Sequence, residues 1–171
     1  MTSGDYTNQL LNLLMIKKRR DILKKPSVKE MFDYVYNELS SGIRGKEIAP
    51  YCSRSRFDIV EVNRNKRKVK VYEVKSCRSD FTSDNKWEKY LKYCTNFGFV
   101  APRGVIKVEE LSKKVGLVEI YFNKYGQLRH DYIKRFGRIN KKIELKNYIK
   151  VIEGLAGSKA WRVEELRKQK Q

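Results

Sequence analysis

Asp58, Glu73 and Lys75 have the types and the spacing of a hydrolytic site. Asp58 lies early in an alternating stretch, Phe57 to Val62, and Glu73-Val74-Lys75 closes a second one, Val69 to Lys75. Residues i and i+2 of a strand share a face, so Glu73 and Lys75 point the same way, roughly 7 Å apart. Asn63-Arg64-Asn65-Lys66-Arg67 between the two stretches is turn chemistry, which makes them a hairpin. The neighbouring strand can then bring Asp58 beside Glu73. Two carboxylates placed so make a hard oxygen-donor site suited to Mg²⁺ or Mn²⁺. The lysine can donate to a phosphate oxygen and help position an attacking water. Phosphodiester hydrolysis needs these parts. The plain structural alternative is an exposed strand face carrying a Glu–Lys pair, with Asp58 in a surface hydrogen bond.

The surrounding sequence predicts the elements that must hold these residues. Tyr6 to Lys25 reads as a helix, apolar early and basic late, that Pro26 ends. Ser27 and Glu30 have capping-box spacing at the head of a second helix, which carries Val28, Met31, Phe32, Val35 and Leu39 on one face and ends at Ser40-Ser41-Gly42. Gly45 to Tyr51 reads as a connection. After the hairpin, a helix is expected over Asp84 to Thr95, with Asp84 at its N-cap and Trp87, Tyr90, Leu91 and Cys94 as its apolar stripe. A strand follows over Phe97 to Ala101, a short helix over Val108 to Val115, and strands over Leu117 to Phe122 and Leu128 to Ile133. Two more helices, Lys141 to Ile152 and Ser158 to Lys168, are joined at Gly154 to Gly157.

Composition narrows the function classes. The 171 residues carry 39 Lys plus Arg against 20 Asp plus Glu, a formal net charge of +19. That charge favours a polyanion, with nucleic acid first and an anionic membrane surface second. The basic residues cluster at Lys17 to Arg20, at Arg64 to Lys70 and at Lys134 to Lys150. No run of about 18 apolar residues predicts a membrane span, and the first residues do not read as a signal peptide. Cys52, Cys77 and Cys94 form no C-x-x-C pair, which argues against a disulfide framework or a zinc site and points to a reducing cytoplasm. Cys77 and Cys94 read as small buried residues. His130, the single histidine, reads as structural and makes a Ser-His-Asp triad a poor fit.

The order Asp58, then Glu73-Val74-Lys75, resembles the signature of the PD-(D/E)xK nuclease superfamily, with Arg56-Phe57-Asp58 where a proline usually precedes the aspartate. A more specific resemblance covers Arg56 to Asp131. It rests on Arg56-Phe57-Asp58-Ile59-Val60, on Glu73-Val74-Lys75-Ser76-Cys77-Arg78-Ser79-Asp80-Phe81, on Asp84-Asn85-Lys86-Trp87-Glu88-Lys89-Tyr90, and on Gly116-Leu117-Val118-Glu119-Ile120. Together these are similar to the MmcB-like branch, a bacterial family associated with DNA repair.

The resemblance implies an α/β fold with a restriction-endonuclease-like core: helix, three-strand meander, helix, strand, in a mixed central sheet flanked by helices. Residues 27–135 would form that core, 1–26 an N-terminal helical extension and 136–171 a basic C-terminal helical extension packed on the same domain. Asp58 and Glu73 would hold Mg²⁺ or Mn²⁺ with the carbonyl of Val74. Lys75 would position water or stabilise the transition state. A glutamate on the first core helix often completes such a site. Glu38 is favoured there, with Glu30 and Glu47 as the other candidates. Lys86 and Tyr90 are spaced like the glutamine and tyrosine of RecB-type nucleases and would meet substrate. Arg78 and Arg56 are candidate phosphate contacts, and Asp80 and Asp84 candidate outer supports of the site. The expected activity is a metal-dependent deoxyribonuclease, an endonuclease in first place, acting in repair, recombination or restriction in a bacterial or phage-encoded cytoplasmic protein. DNA is the expected partner, and cutting both strands would call for a homodimer. The other readings are a non-catalytic DNA-binding module that recruits repair factors, and an RNA-directed protein.

Overall fold

The structure, a computed structural model, describes residues 24–168, with side chains as far as Lys159. The predicted helix over Tyr6 to Lys25 and the basic run Lys17 to Arg20 fall almost wholly outside the described residues. Helix α1 (Val28–Tyr34) starts at the expected capping box. The Ser27 hydroxyl accepts the Glu30 N–H at 3.2 Å, and the Glu30 carboxylate accepts the Ser27 N–H at 2.7 Å. The helix widens into a π-type turn over Val35–Leu39, where the Ser40 N–H donates to Val35.

Six strands follow: β1 (Ile43–Ile48), β2 (Phe57–Asn63), β3 (Lys68–Val74), β4 (Asn96–Pro102), β5 (Gly116–Phe122) and β6 (Leu128–Lys134). They form one mixed sheet in chain order, β1-β2-β3-β4-β5-β6. The first three make an antiparallel meander, β3, β4 and β5 run parallel, and β6 returns antiparallel. The crossover from β3 to β4 holds the short helix α2 (Arg78–Thr82) and a 3₁₀ segment (Trp87–Tyr93). The crossover from β4 to β5 holds a 3₁₀ turn (Val108–Glu110). Helix α3 (Leu145–Lys168) ends the described chain. No helix among the described residues is long and apolar enough to cross a membrane.

Strand alternation divides the core into two faces. The front core takes Val69 and Val71 of β3 with Tyr90 and Tyr93 of the 3₁₀ segment, Val105 and Leu111 of the second crossover, and Val151 and Leu155 of α3. The back core takes Tyr72 and Val74 with Met31 and Val35 of α1. Phe136 also covers the back face. It lies flat over Gly98 and Gly116, where a Cβ would come within 2.3 and 2.5 Å of its ring. From there the chain passes to the front face. Gly137 bonds to Lys114, Ile139 to Thr95, and the Asn140 amide donates to the carbonyls of Leu91 and Cys94.

Four expectations are corrected. Gly45 to Tyr51 is not a connection, because residues 43–48 form edge strand β1. Its Gly45 and Lys46 obscure the alternation, and it is held by pairing with β2 and by contact with α3. The helix expected over Asp84 to Thr95 is 3₁₀ and starts at Trp87. The helix over Val108 to Val115 shrinks to a single 3₁₀ turn. Finally, α3 runs unbroken through Gly154 and Gly157. Gly154 serves close approach rather than a break, since a Cβ there would lie 2.2 Å from the Ala49 carbonyl oxygen.

That contact sets the sign of two substitutions. Alanine is normally worth about 1 kcal/mol over glycine inside a helix. Gly157→Ala meets nothing within 4 Å and is expected to raise the melting temperature, by about 2–4 °C per kcal/mol for a chain of this size. Gly154→Ala must push α3 off β1 and is expected to lower it. Thermal unfolding of the two variants checks both signs.

Candidate active site

The antiparallel register that pairs Ile59 with Tyr72 places Asp58 opposite Glu73 when carried one residue further. Both side chains share the front-face parity of Val60 and Val71, and Lys75, just beyond β3, follows the same parity. The Asp58 carboxylate accepts the Val74 N–H at 2.7 Å, which fixes it across the strand pair. The Lys75 N–H donates to Val100 of β4 at 2.8 Å. In a trans peptide the carbonyl points away from the N–H, so the Val74 carbonyl is turned toward β2 and Asp58.

Glu73 and Lys75 are 6% and 5% exposed, which removes the reading of Glu73 and Lys75 as an exposed strand face. The Lys75 ammonium lies 3.3 Å from Glu73 Oε1 and 2.5 Å from Asp84 Oδ2. Among the described residues, Glu73 Oε2 finds no hydrogen-bond partner, though it is buried. Burial, then the charge of Asp58, pushes Glu73 up to about 8 against the pull of Lys75. Burial pushes Asp58 up to about 6, opposed by the Val74 N–H and by Lys75. Burial works against the Lys75 ammonium, but the hydrogen bond to Asp84 and the charge of Glu73 outweigh it and raise its pKa.

These groups line an open cleft of about 360 Å³ beyond the carboxyl end of β3. Arg56, Lys86 and Tyr90 reach it as expected, as do Asp80 and Asp84. Asp80 accepts both the N–H and the hydroxyl of Ser76, which fixes the turn after Lys75. Asp84 accepts the Lys86 N–H at 2.8 Å, so its capping role survives as a local turn ahead of the 3₁₀ segment. Its contact with Lys75 has no periodic signal in the sequence. The Ser76-to-Asp84 stretch of the family resemblance is the feature that marked it.

Other residues take different places. Arg78 turns away from the cleft, clamps Glu110 with both guanidinium nitrogens and so ties α2 to the second crossover. Glu38 is exposed on the π-type turn after α1, and the packing residues Met31 of α1 and Val35 of that turn belong to the back core; the sheet separates Glu38 from Glu73. Glu30 is spent on its cap. Glu47 also reaches the cleft. The β1–β2 register sets it in line with Asp58, it raises the Asp58 pKa, and its backbone is left-handed at φ 53°. Arg56 pairs with it at 3.3 Å. Cys77 is exposed, not buried, while Cys94 is buried. Trp87 stacks on Phe97 in the core, and His130 meets the Tyr34 hydroxyl at 3.0 Å.

Two carboxylates and one carbonyl fit a small hard cation, and the partnerless Glu73 oxygen is the acceptor such an ion would satisfy. Among the described residues no three acidic, histidine or cysteine side chains close on one point. Water or phosphate would therefore complete the coordination, as Mg²⁺ tolerates.

The model of the MmcB-like DNA repair protein family matches residues 39–130, just over half of the chain. The chain belongs to the MmcB-like family. The family match spans Glu47, Asp58, Glu73, Lys75 and Asp84, and ties the chain to DNA repair. Among solved structures, the SPO1766 protein of unknown function from Silicibacter pomeroyi is similar in fold. It superposes with a TM-score of 0.58 at 22% identity, over 74% of this chain and 80% of that one. No curated protein matches in sequence.

The raised Glu73 pKa makes stability depend on pH. Between the ordinary value of 4.5 and about 8, the folded state binds more protons than the unfolded one, so stability falls as pH rises. Glu73→Gln removes the titrating group. Its melting temperature is expected to gain on the parent's from pH 5 to pH 8, and parallel pH–melting curves for the two proteins would reveal the wrong sign.

Proposed function

We propose that this MmcB-like protein is a metal-dependent nuclease of the PD-(D/E)xK type that hydrolyses phosphodiester bonds in DNA. The observation that carries the reading is the convergence of Asp58, Glu73 and Lys75 in one buried corner of a cleft, with Glu73 Oε2 unpartnered. A buried and a half-buried carboxylate, both with raised pKa values, at a cleft point to use, because their desolvation costs stability. The order helix, antiparallel meander, crossover, parallel strand supports a restriction-endonuclease-like core. The charge of +19 supports a polyanionic substrate.

Asp58, Glu73 and the Val74 carbonyl would hold the Mg²⁺ or Mn²⁺. When bound, the ion supplies charge neutralisation at the phosphate and a more acidic water. The protein does the rest. Asp58 is held in place by the Val74 N–H. Lys75 stays an ammonium and donates to a phosphate oxygen or to the attacking water, where its charge counts for most as negative charge builds. Arg56 and Lys86, exposed at the cleft, hold flanking phosphates. Tyr90 packs edge-on against Phe57, which sets the floor of the cleft.

The test is cleavage of supercoiled, duplex, branched and single-stranded DNA with Mg²⁺, Mn²⁺ or EDTA. Lys75→Ala is expected to lose at least about 10²-fold in rate while its DNA affinity in EDTA stays nearly that of the parent. In calorimetry, Glu73→Ala is expected to lose the metal-binding heat that the parent gives. Tight DNA binding without cleavage in any metal would replace the nuclease with a DNA-binding module, and preferential binding of RNA at matched salt would redirect the substrate class.

A further inference from the structure

We propose that Asp84 is a positioning residue that aims the Lys75 ammonium into the cleft; this rests on the nuclease reading above. An ammonium has three donors. One goes to Glu73 Oε1 and one to Asp84 Oδ2, the shorter contact by 0.8 Å. Asp80 stands 3.9 Å away, beyond hydrogen-bond reach, and its other oxygen is taken by Ser76. One Lys75 donor is therefore left for a ligand.

A lysine side chain is a flexible four-carbon stem, and a single acceptor leaves its head free to swing. Two acceptors on different segments, β3 and the turn before the 3₁₀ segment, remove that freedom. Asp84 is itself immobilised. Its side chain is only 10% exposed, and its second oxygen accepts the Lys86 N–H. One carboxylate thus fixes the head of Lys75 and the backbone at Lys86, setting two of the cleft cations in register. Glu73 has a competing duty as a ligand for the ion, whereas Asp84 does not. Asp84 is the partner that Lys75 keeps throughout the reaction.

The experiment compares the full chain with Asp84→Asn, which keeps an oxygen for the Lys86 N–H, and with Asp84→Ala. Two readouts are used. The first is the side-chain amine resonance of Lys75 in ¹⁵N-lysine-labelled protein, assigned by its loss in Lys75→Arg. The parent is expected to give a distinct, slowly exchanging signal that merges with the solvent-exposed lysines in both Asp84 variants. The second is steady-state cleavage. A misplaced group costs on the order of 10²-fold, so kcat is expected to fall by about that factor with KM unchanged. An unmoved Lys75 resonance overturns the proposal, whatever the activity. So does parent-like kcat in Asp84→Asn, or a loss confined to KM. A parent that cleaves no DNA sinks the nuclease reading and the catalytic role together, but leaves the resonance to show separately whether Asp84 holds the lysine.

Discussion

A carboxylate as buried as that of Glu73 is tolerable only because the Lys75 ammonium stands beside it. Where Glu73 ionises, two unlike charges stand out of water together at the end of β3, and their attraction offsets part of the desolvation cost. The balance is incomplete. Burial still dominates both carboxylates, and one Glu73 oxygen finds no partner. The rest of the cleft is arranged around that deficit. The Val74 N–H holds Asp58 against the same corner, and the turn after β3 delivers Asp84 to the far side of the lysine. The corner is left with one buried carboxylate oxygen that no described residue satisfies.

The sheet order explains why the corner is open. Parallel strands β3, β4 and β5 send both crossovers to the front face, as right-handed connections require. Their helical pieces cover the middle of that face and leave the cleft open at the carboxyl end of β3, the usual place for a ligand crevice in such sheets. The amino ends are treated differently. The stretch from Phe136 to Asn140 passes from back to front beneath them, bonding to Lys114, Thr95, Leu91 and Cys94. One end of the sheet is strapped and the other is accessible.

Much of this was legible in the sequence because it rests on local rules. Alternation marked β2 and β3, the Asn63 to Arg67 turn fixed them as a hairpin, and period-two spacing put Glu73 and Lys75 on one side. What stayed hidden depends on partners distant in the chain. Edge strand β1 has weak alternation and exists through pairing with β2. Glu38 is favoured by its place at the end of the first core helix away from the cap, yet which side of the sheet that helix covers is decided by Met31 and Val35 meeting Tyr72 and Val74. Glu47 reaches the cleft through a left-handed backbone that its residue type does not advertise. Gly154 looked like punctuation and proved to be a contact surface, since glycine has the same letter in both roles.

The seating of Gly154 on Ala49 also bears on how the protein is made. It joins the end of β1 to α3, so the front face closes only after residues as late as Gly154 have left the ribosome. Contacts between such remote segments form late, because the loop entropy must be overcome before they reward it. Until then the meander can pair by itself, but the apolar row of β1 and β2 that α3 covers stays open to water. Nascent chains truncated before α3 would therefore carry the Asp58–Glu73–Lys75 corner on an uncovered sheet, a form for chaperones and proteases to recognise.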